Sequence, residues 1–187
     1  MLQLSLGHSN LCFAITPIIL ALACGTNPVA TPSVSVRINE VSSSNHDYMD
    51  EIGDTDDWIE LYNPNAEAVD LTGYFLSDSH SKRFKVELTE AAVVPGNGLL
   101  FLWADGEPSQ GPLHVNFKLS SVRDGVCLSN PEGYTLDCVE FGAVPPYTAG
   151  TEDTSLARFP DGFGRFEWCN ISSPEELNGT ACSQPAQ

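Results

Sequence analysis

Apolar and polar residues alternate with a period of two through most of the chain after residue 35, in segments that are short. The clearest is residues 57–63, DWIELYN, where Ile59 and Leu61 point to one side of an extended strand and Trp58, Glu60 and Tyr62 to the other. That is the pattern of a half-buried antiparallel strand. Val36 and Ile38 share a face in residues 35–41, and Phe84, Val86 and Leu88 share one in residues 84–88. Within residues 69–77, Gly73 interrupts an extended pattern and marks a bulge or bend. Residues 99–103, LLFLW, are apolar throughout; too short for a helix, the run reads as a central strand and the most buried one. Further extended pieces fall at 115–119, 125–129, 134–141, 155–159 and 166–171. Turn chemistry separates the segments, as at Asn63-Pro64-Asn65, Asn130-Pro131-Glu132-Gly133 and Pro160-Asp161-Gly162. No stretch repeats at the helical period. Short strands with a turn every ten or so residues predict an all-β, immunoglobulin-like β-sandwich.

Charge changes the picture at the amino end. The 25 acidic and 8 basic residues give a net charge of -17, which repels phosphate backbones, so nucleic acid is not an expected partner. Every charged residue lies after Val36. Within the uncharged start, residues 11–23 form an apolar run shorter than the ~20 residues that cross a bilayer, and it reads as the core of an export signal. The run ends in Leu20-Ala21-Leu22-Ala23-Cys24-Gly25, which resembles the lipobox of bacterial lipoproteins. That resemblance implies a lipid on Cys24 and attachment to the membrane; a plain secretory signal cut near Ala23 is the alternative. Residues 24–35, rich in Pro and Thr, suit a tether. The expected layout is a signal at 1–23, the linker at 24–35, one domain at 36–171 and a carboxy-terminal extension at 172–187. An exported location follows, either anchored to the cell envelope or secreted.

Six cysteines are present, and setting aside Cys12 and Cys24 leaves an even four. In an exported chain these suit two disulfides. Cys127 and Cys138 flank the Asn130–Gly133 turn signal and should face each other across a hairpin, while Cys169 and Cys182 close the extension. Three connectivities remain open on sequence alone. A zinc site lacks the C-x-x-C spacing it usually shows. Asn170-Ile171-Ser172 and Asn178-Gly179-Thr180 match glycosylation acceptors.

The chemistry-bearing residues are few. There is no G-x-S-x-G and no H-E-x-x-H, and His46, His80 and His114 stand in loop-like segments where an exposed histidine is the ordinary outcome. Asp105 and Asp161 each precede a glycine and read as turn formers. The acidic loop at 47–57 is the one site candidate: Asp47, Asp50, Glu51, Asp54, Asp56 and Asp57 supply enough carboxylate oxygens for calcium, although their spacing is not that of an EF-hand. The alternative is a solvated, self-repelling loop. No other cofactor is expected. Trp58, Trp103 and Trp168 could line a carbohydrate platform, against the commoner use of sheet aromatics as core.

Several motifs in order resemble the lamin-tail domain, the immunoglobulin-like sandwich found at the end of nuclear lamins and in many bacterial exported proteins. They are Ile38-Asn39-Glu40-Val41, the block from Asp56 to Asn63, Asp70-Leu71-Thr72-Gly73-Tyr74, Ala104-Asp105-Gly106, Phe117-Lys118-Leu119 and Arg158-Phe159-Pro160-Asp161-Gly162. The resemblance covers residues 36–171 and implies a non-catalytic binding or structural module at the cell surface. Its partner would be a protein or a surface polysaccharide. The competing expectation is a calcium-dependent enzyme or enzyme accessory using the acidic loop.

Overall fold

A computed structural model describes residues 35–142 and 152–179. Among these residues eleven strands form: β1 (Arg37–Ser42), β2 (Trp58–Asn63), β3 (Val69–Asp70), β4 (Phe75–Ser77), β5 (Val86–Glu87), β6 (Val93–Val94), β7 (Gly98–Trp103), β8 (Arg123–Ser129), β9 (Thr135–Gly142), β10 (Ser155–Phe159) and β11 (Arg165–Cys169). They build a five-stranded sheet in the order β11-β10-β1-β2-β7, a four-stranded sheet in the order β5-β4-β8-β9, and the small pair β3-β6. The named strand pairs are antiparallel. Among the described residues there is no helix, and the protein is an immunoglobulin-like β-sandwich.

Period-two alternation explains the layer between the sheets. Ile38, Ile59, Leu61, Leu102 and Leu156 from the larger sheet meet Leu76, Val126, Leu128 and Val139 from the smaller one, all at most 3% exposed. The expected bend at Gly73 is present: φ there is +79°, a conformation glycine adopts without steric cost, and it divides the segment into β3 and β4.

Three expectations fail for identifiable reasons. The apolar run at 99–103 is not central: β7 is the edge strand of its sheet. Its continuous apolarity arises because both of its faces are covered, as shown below. Residues 115–119 form no ladder strand; Lys118 makes an isolated bridge with Asp105, and His114, just before the segment, makes another with Trp103. Val115, Phe117 and Leu119 nevertheless alternate into the core, so the periodicity reported burial and not pairing. Phe84 is 59% exposed although Leu88 is buried; β5 starts only at Val86, and Phe84 packs edge-on against Phe75 outside the sandwich.

The outer face of the larger sheet departs most from the half-buried picture. Trp58 and Glu60 are as fully buried as Ile59 and Leu61. A β-bulge in β1 prepares this face: Ile38 pairs with Leu61 and Glu40 with Glu60, two steps on one strand against one on the other. In an unbroken strand Glu40 would follow Val36 and Ile38 into the core. The bulge turns it outward beside Glu60 and sends Val41 inward.

Candidate functional site

Two segments fold over that outer face. From one side comes the acidic loop, pinned by buried Asn45, whose side-chain amide donates to the carbonyls of Tyr48 (2.6 Å) and Asp56 (2.9 Å). Tyr48 lies on Trp103 with ring centroids 5.7 Å apart and meets Phe101 edge-on. From the other side come residues 171–179, and the two segments meet where the Tyr48 hydroxyl donates to Glu175. Trp58 and Trp103 are thereby covered, at 0% and 5% exposure, and Trp168 packs edge-on to Phe141 at the core. None of the three tryptophans forms an open carbohydrate platform.

The six carboxylates of the acidic loop serve different neighbours. Asp50 accepts the N–H groups of Ile52 and Asp54 and shapes its own turn. Glu51 reaches His114 Nε2 at 3.4 Å, and Asp56 pairs with Lys118 at 3.0 Å. Asp57 accepts the Leu119 N–H at 2.8 Å, while Asp47 and Asp54 point to solvent. Among the described residues no three of these six carboxylates gather at metal-ligand distance. Burial, helped by the neighbouring Asp56 charge and opposed by the Leu119 N–H, pushes the Asp57 carboxyl up to about 6. A carboxyl whose pKa rises on folding stabilises the fold below its unfolded value of 3.8 and loses that contribution as pH rises to about 6. Asp57→Asn is therefore expected to hold its stability better than the parent between those two pH values, keeping an acceptor for Leu119; urea titrations at several pH values check it.

His114 is not the exposed loop histidine that its surroundings in sequence suggest. It is 6% exposed, its ring stacks against Trp103, and its Nδ1 bonds to the buried carboxylate of Asp105. Asp105 also accepts the Glu107 N–H, so one side chain shapes the turn and orients the ring. His114 Nε2 faces a groove of about 610 Å³ whose lining includes Met49, Ile52, Phe101 and Glu175. An Asp-His pair resembles part of a hydrolytic triad, but none of the residues lining this groove is Ser, Thr or Cys, so it holds no side-chain nucleophile of that kind. Only the nine-residue separation of Asp105 and His114 hinted at this pair.

Residues 171–179 are held down through carboxylates. Glu40 accepts from the Ser155 hydroxyl, from the Ser173 N–H at 3.0 Å and from the Ser173 hydroxyl at 2.7 Å. One oxygen of Glu60 accepts the Glu175 N–H; the other is buried without a hydrogen-bond partner. Asn178, 0% exposed, donates its amide to the carbonyls of Asn39 (3.3 Å) and Arg158 (2.9 Å). This side chain is thus spent inside the protein, which removes it as a glycan acceptor in the folded state. Asp161 accepts both the Asn178 N–H and the Asn39 amide at 2.9 Å. Gly162 sits at φ +66°, where a Cβ would come within 2.5 Å of Tyr62, and its N–H donates to Asn39. Burial, reinforced by the negative charges of Glu40, Glu175 and Asp161, pushes Glu60 up to about 9; burial also raises Glu40.

On the smaller sheet, Cys127 and Cys138 are register partners on β8 and β9 and form the expected disulfide. His80 lies 3.4 Å from the Cys127 sulfur, but both sulfurs are spent on each other. Cys169 is buried and disulfide-bonded. Its expected partner Cys182 lies outside the described residues, as do Cys24 and the signal.

A sandwich of two antiparallel sheets, with one outer face covered by its own loops, defines the immunoglobulin-like class of fold. The chain belongs to the lamin tail domain family, whose model matches residues 30–143. No curated protein and no solved structure matches it. The family is in general one of non-catalytic modules.

Proposed function

We propose that this protein is a non-catalytic binding module displayed outside the cytoplasm, tethered through a lipid on Cys24, with a protein as its partner. The observation that carries the reading is the groove beside β7. Met49 and Ile52 stand 61% and 67% exposed at its mouth, among the carboxylates of Asp50, Glu51 and Glu175. Exposed apolar side chains ringed by acids fit a partner surface that is both apolar and basic. Burial of Trp58 and Trp103 argues for protein over polysaccharide. The Cys127–Cys138 bond supports an oxidising location.

The test is an array of apolar-basic peptides beside a glycan array, probed with the protein and with an Ile52→Asp, Glu51→Lys variant. Binding to the peptides that weakens with salt and falls at least tenfold in the variant is expected. Glycan binding that the variant retains would overturn the choice of partner. Mass spectrometry of the mature amino terminus from the native host should find a diacylglyceryl group on Cys24, and an unmodified terminus removes the anchor.

A further inference from the structure

Glu40 and Glu60 present an unsolved charge problem. They are opposite one another on adjacent strands, and both are 0% exposed. Among the described residues no lysine, arginine or histidine nitrogen lies within ion-pair distance of either. The nearby charges acting on Glu60 are those of Glu40, Glu175 and Asp161, all negative. Buried carboxylates are ordinarily paired, protonated or bound to metal.

Proton counting points the same way. Ser173 Oγ lies 2.7 Å from Glu40 Oε2 and 2.9 Å from Asn178 Oδ1, and a single hydroxyl proton serves one of them only. The Asn178 amide nitrogen already donates to two carbonyls, which fixes its oxygen toward Ser173. The second oxygen of Glu60 is buried with no donor at all. This corner of the molecule is therefore rich in oxygen acceptors and short of positive charge.

We propose that Glu40 and Glu60 form a buried site for a hard divalent cation, calcium by its donor set, closed by residues 171–179. Two carboxylates balance the charge of one such ion. The hydroxyls of Ser155 and Ser173 and the Asn178 carbonyl oxygen are the neutral donors gathered at Glu40, and the set contains no nitrogen or sulfur that would select a softer metal. The site differs from the acidic loop, where Glu51, Asp56 and Asp57 have other partners and Asp47 and Asp54 stand in solvent. Its consequence is mechanical: the ion fastens the carboxy-terminal segment onto β1 and β2, and that segment in turn supports Tyr48 through Glu175.

The experiment uses the whole chain stripped with EDTA. Calcium at millimolar concentration is expected to raise the Tm by about 5 °C or more. The rise should vanish in Glu60→Gln, shrink in Glu40→Gln and survive in an Asp50→Asn, Asp54→Asn variant. Terbium gives a second readout that does not depend on the glutamate variants folding. Its emission on indole excitation should appear with the parent chain, fall several-fold in Trp58→Phe and persist in Trp168→Phe, because Trp58 lies on the same face of β2 as Glu60. No calcium shift in the parent chain, or a shift kept by Glu60→Gln and lost in the loop variant, overturns the proposal.

Discussion

Arg158→Met is expected to lower stability by about 3–5 kcal/mol, the cost of leaving one member of a buried ion pair without its partner. Arg158 on β10 holds both oxygens of Asp137 on β9 at 2.7 Å, and the two side chains are only 14% and 12% exposed. Its Nε donates to the Ile38 carbonyl at 2.7 Å, another nitrogen donates to Gly164, and the guanidinium lies 4.2 Å from the centre of the Phe166 ring. Asp137 in turn accepts the Ile38 N–H at 3.0 Å. One pair thus binds β1 and β10 of the larger sheet to β9 of the smaller. Methionine keeps most of the packing on Phe166 and removes every donor. Adding Asp137→Leu to Arg158→Met should recover part of the loss, since the stranded carboxylate is then gone. Urea denaturation measures both; a single variant within about 1 kcal/mol of the parent would show that the two sheets do not depend on this tie.

The second large effect concerns the covered face. Trp58→Ala should cost about 3–5 kcal/mol, because the side chain is 0% exposed and packed against Phe101 at 5.4 Å between centroids. Trp58→Phe should stay within about 1 kcal/mol of the parent. The indole Nε1 is buried with no partner, and deleting it relieves a desolvated donor while keeping a ring in place. A tryptophan standing in solvent would give two small and similar values, so the contrast between the variants reports whether the carboxy-terminal segment and the Tyr48 loop cover the sheet in solution.

Much of the architecture was legible because the rule behind it is local. Side chains on a strand alternate, so Ile59 with Leu61, and Val36 with Ile38, announce an inner face with no knowledge of what they touch. Gly73 declared its bend for the same reason, since φ +79° is a property of one residue's backbone. The Cys127–Cys138 pairing followed from a turn signal and the distance to it on either side. The site was far less legible. Leu99 to Trp103 looked central when they form an edge, because apolarity records burial without saying what does the burying. His114 and Asp105 looked like loop furniture because their meeting depends on how the chain leaves β7 and returns along it.

The chain's residue order settled the period of its strands, the places where they turn and the inner faces that must meet, since each depends on a few neighbouring residues. Glu40 is where that reasoning stops. Read in order it belongs with Val36 and Ile38, and only the paired register of β1 against β2, with one extra residue at the bulge, turns it outward to face Glu60. The cover over both carboxylates comes from residues more than a hundred positions further along. Contacts of that span form because two remote segments fit one surface, and no local pattern encodes them.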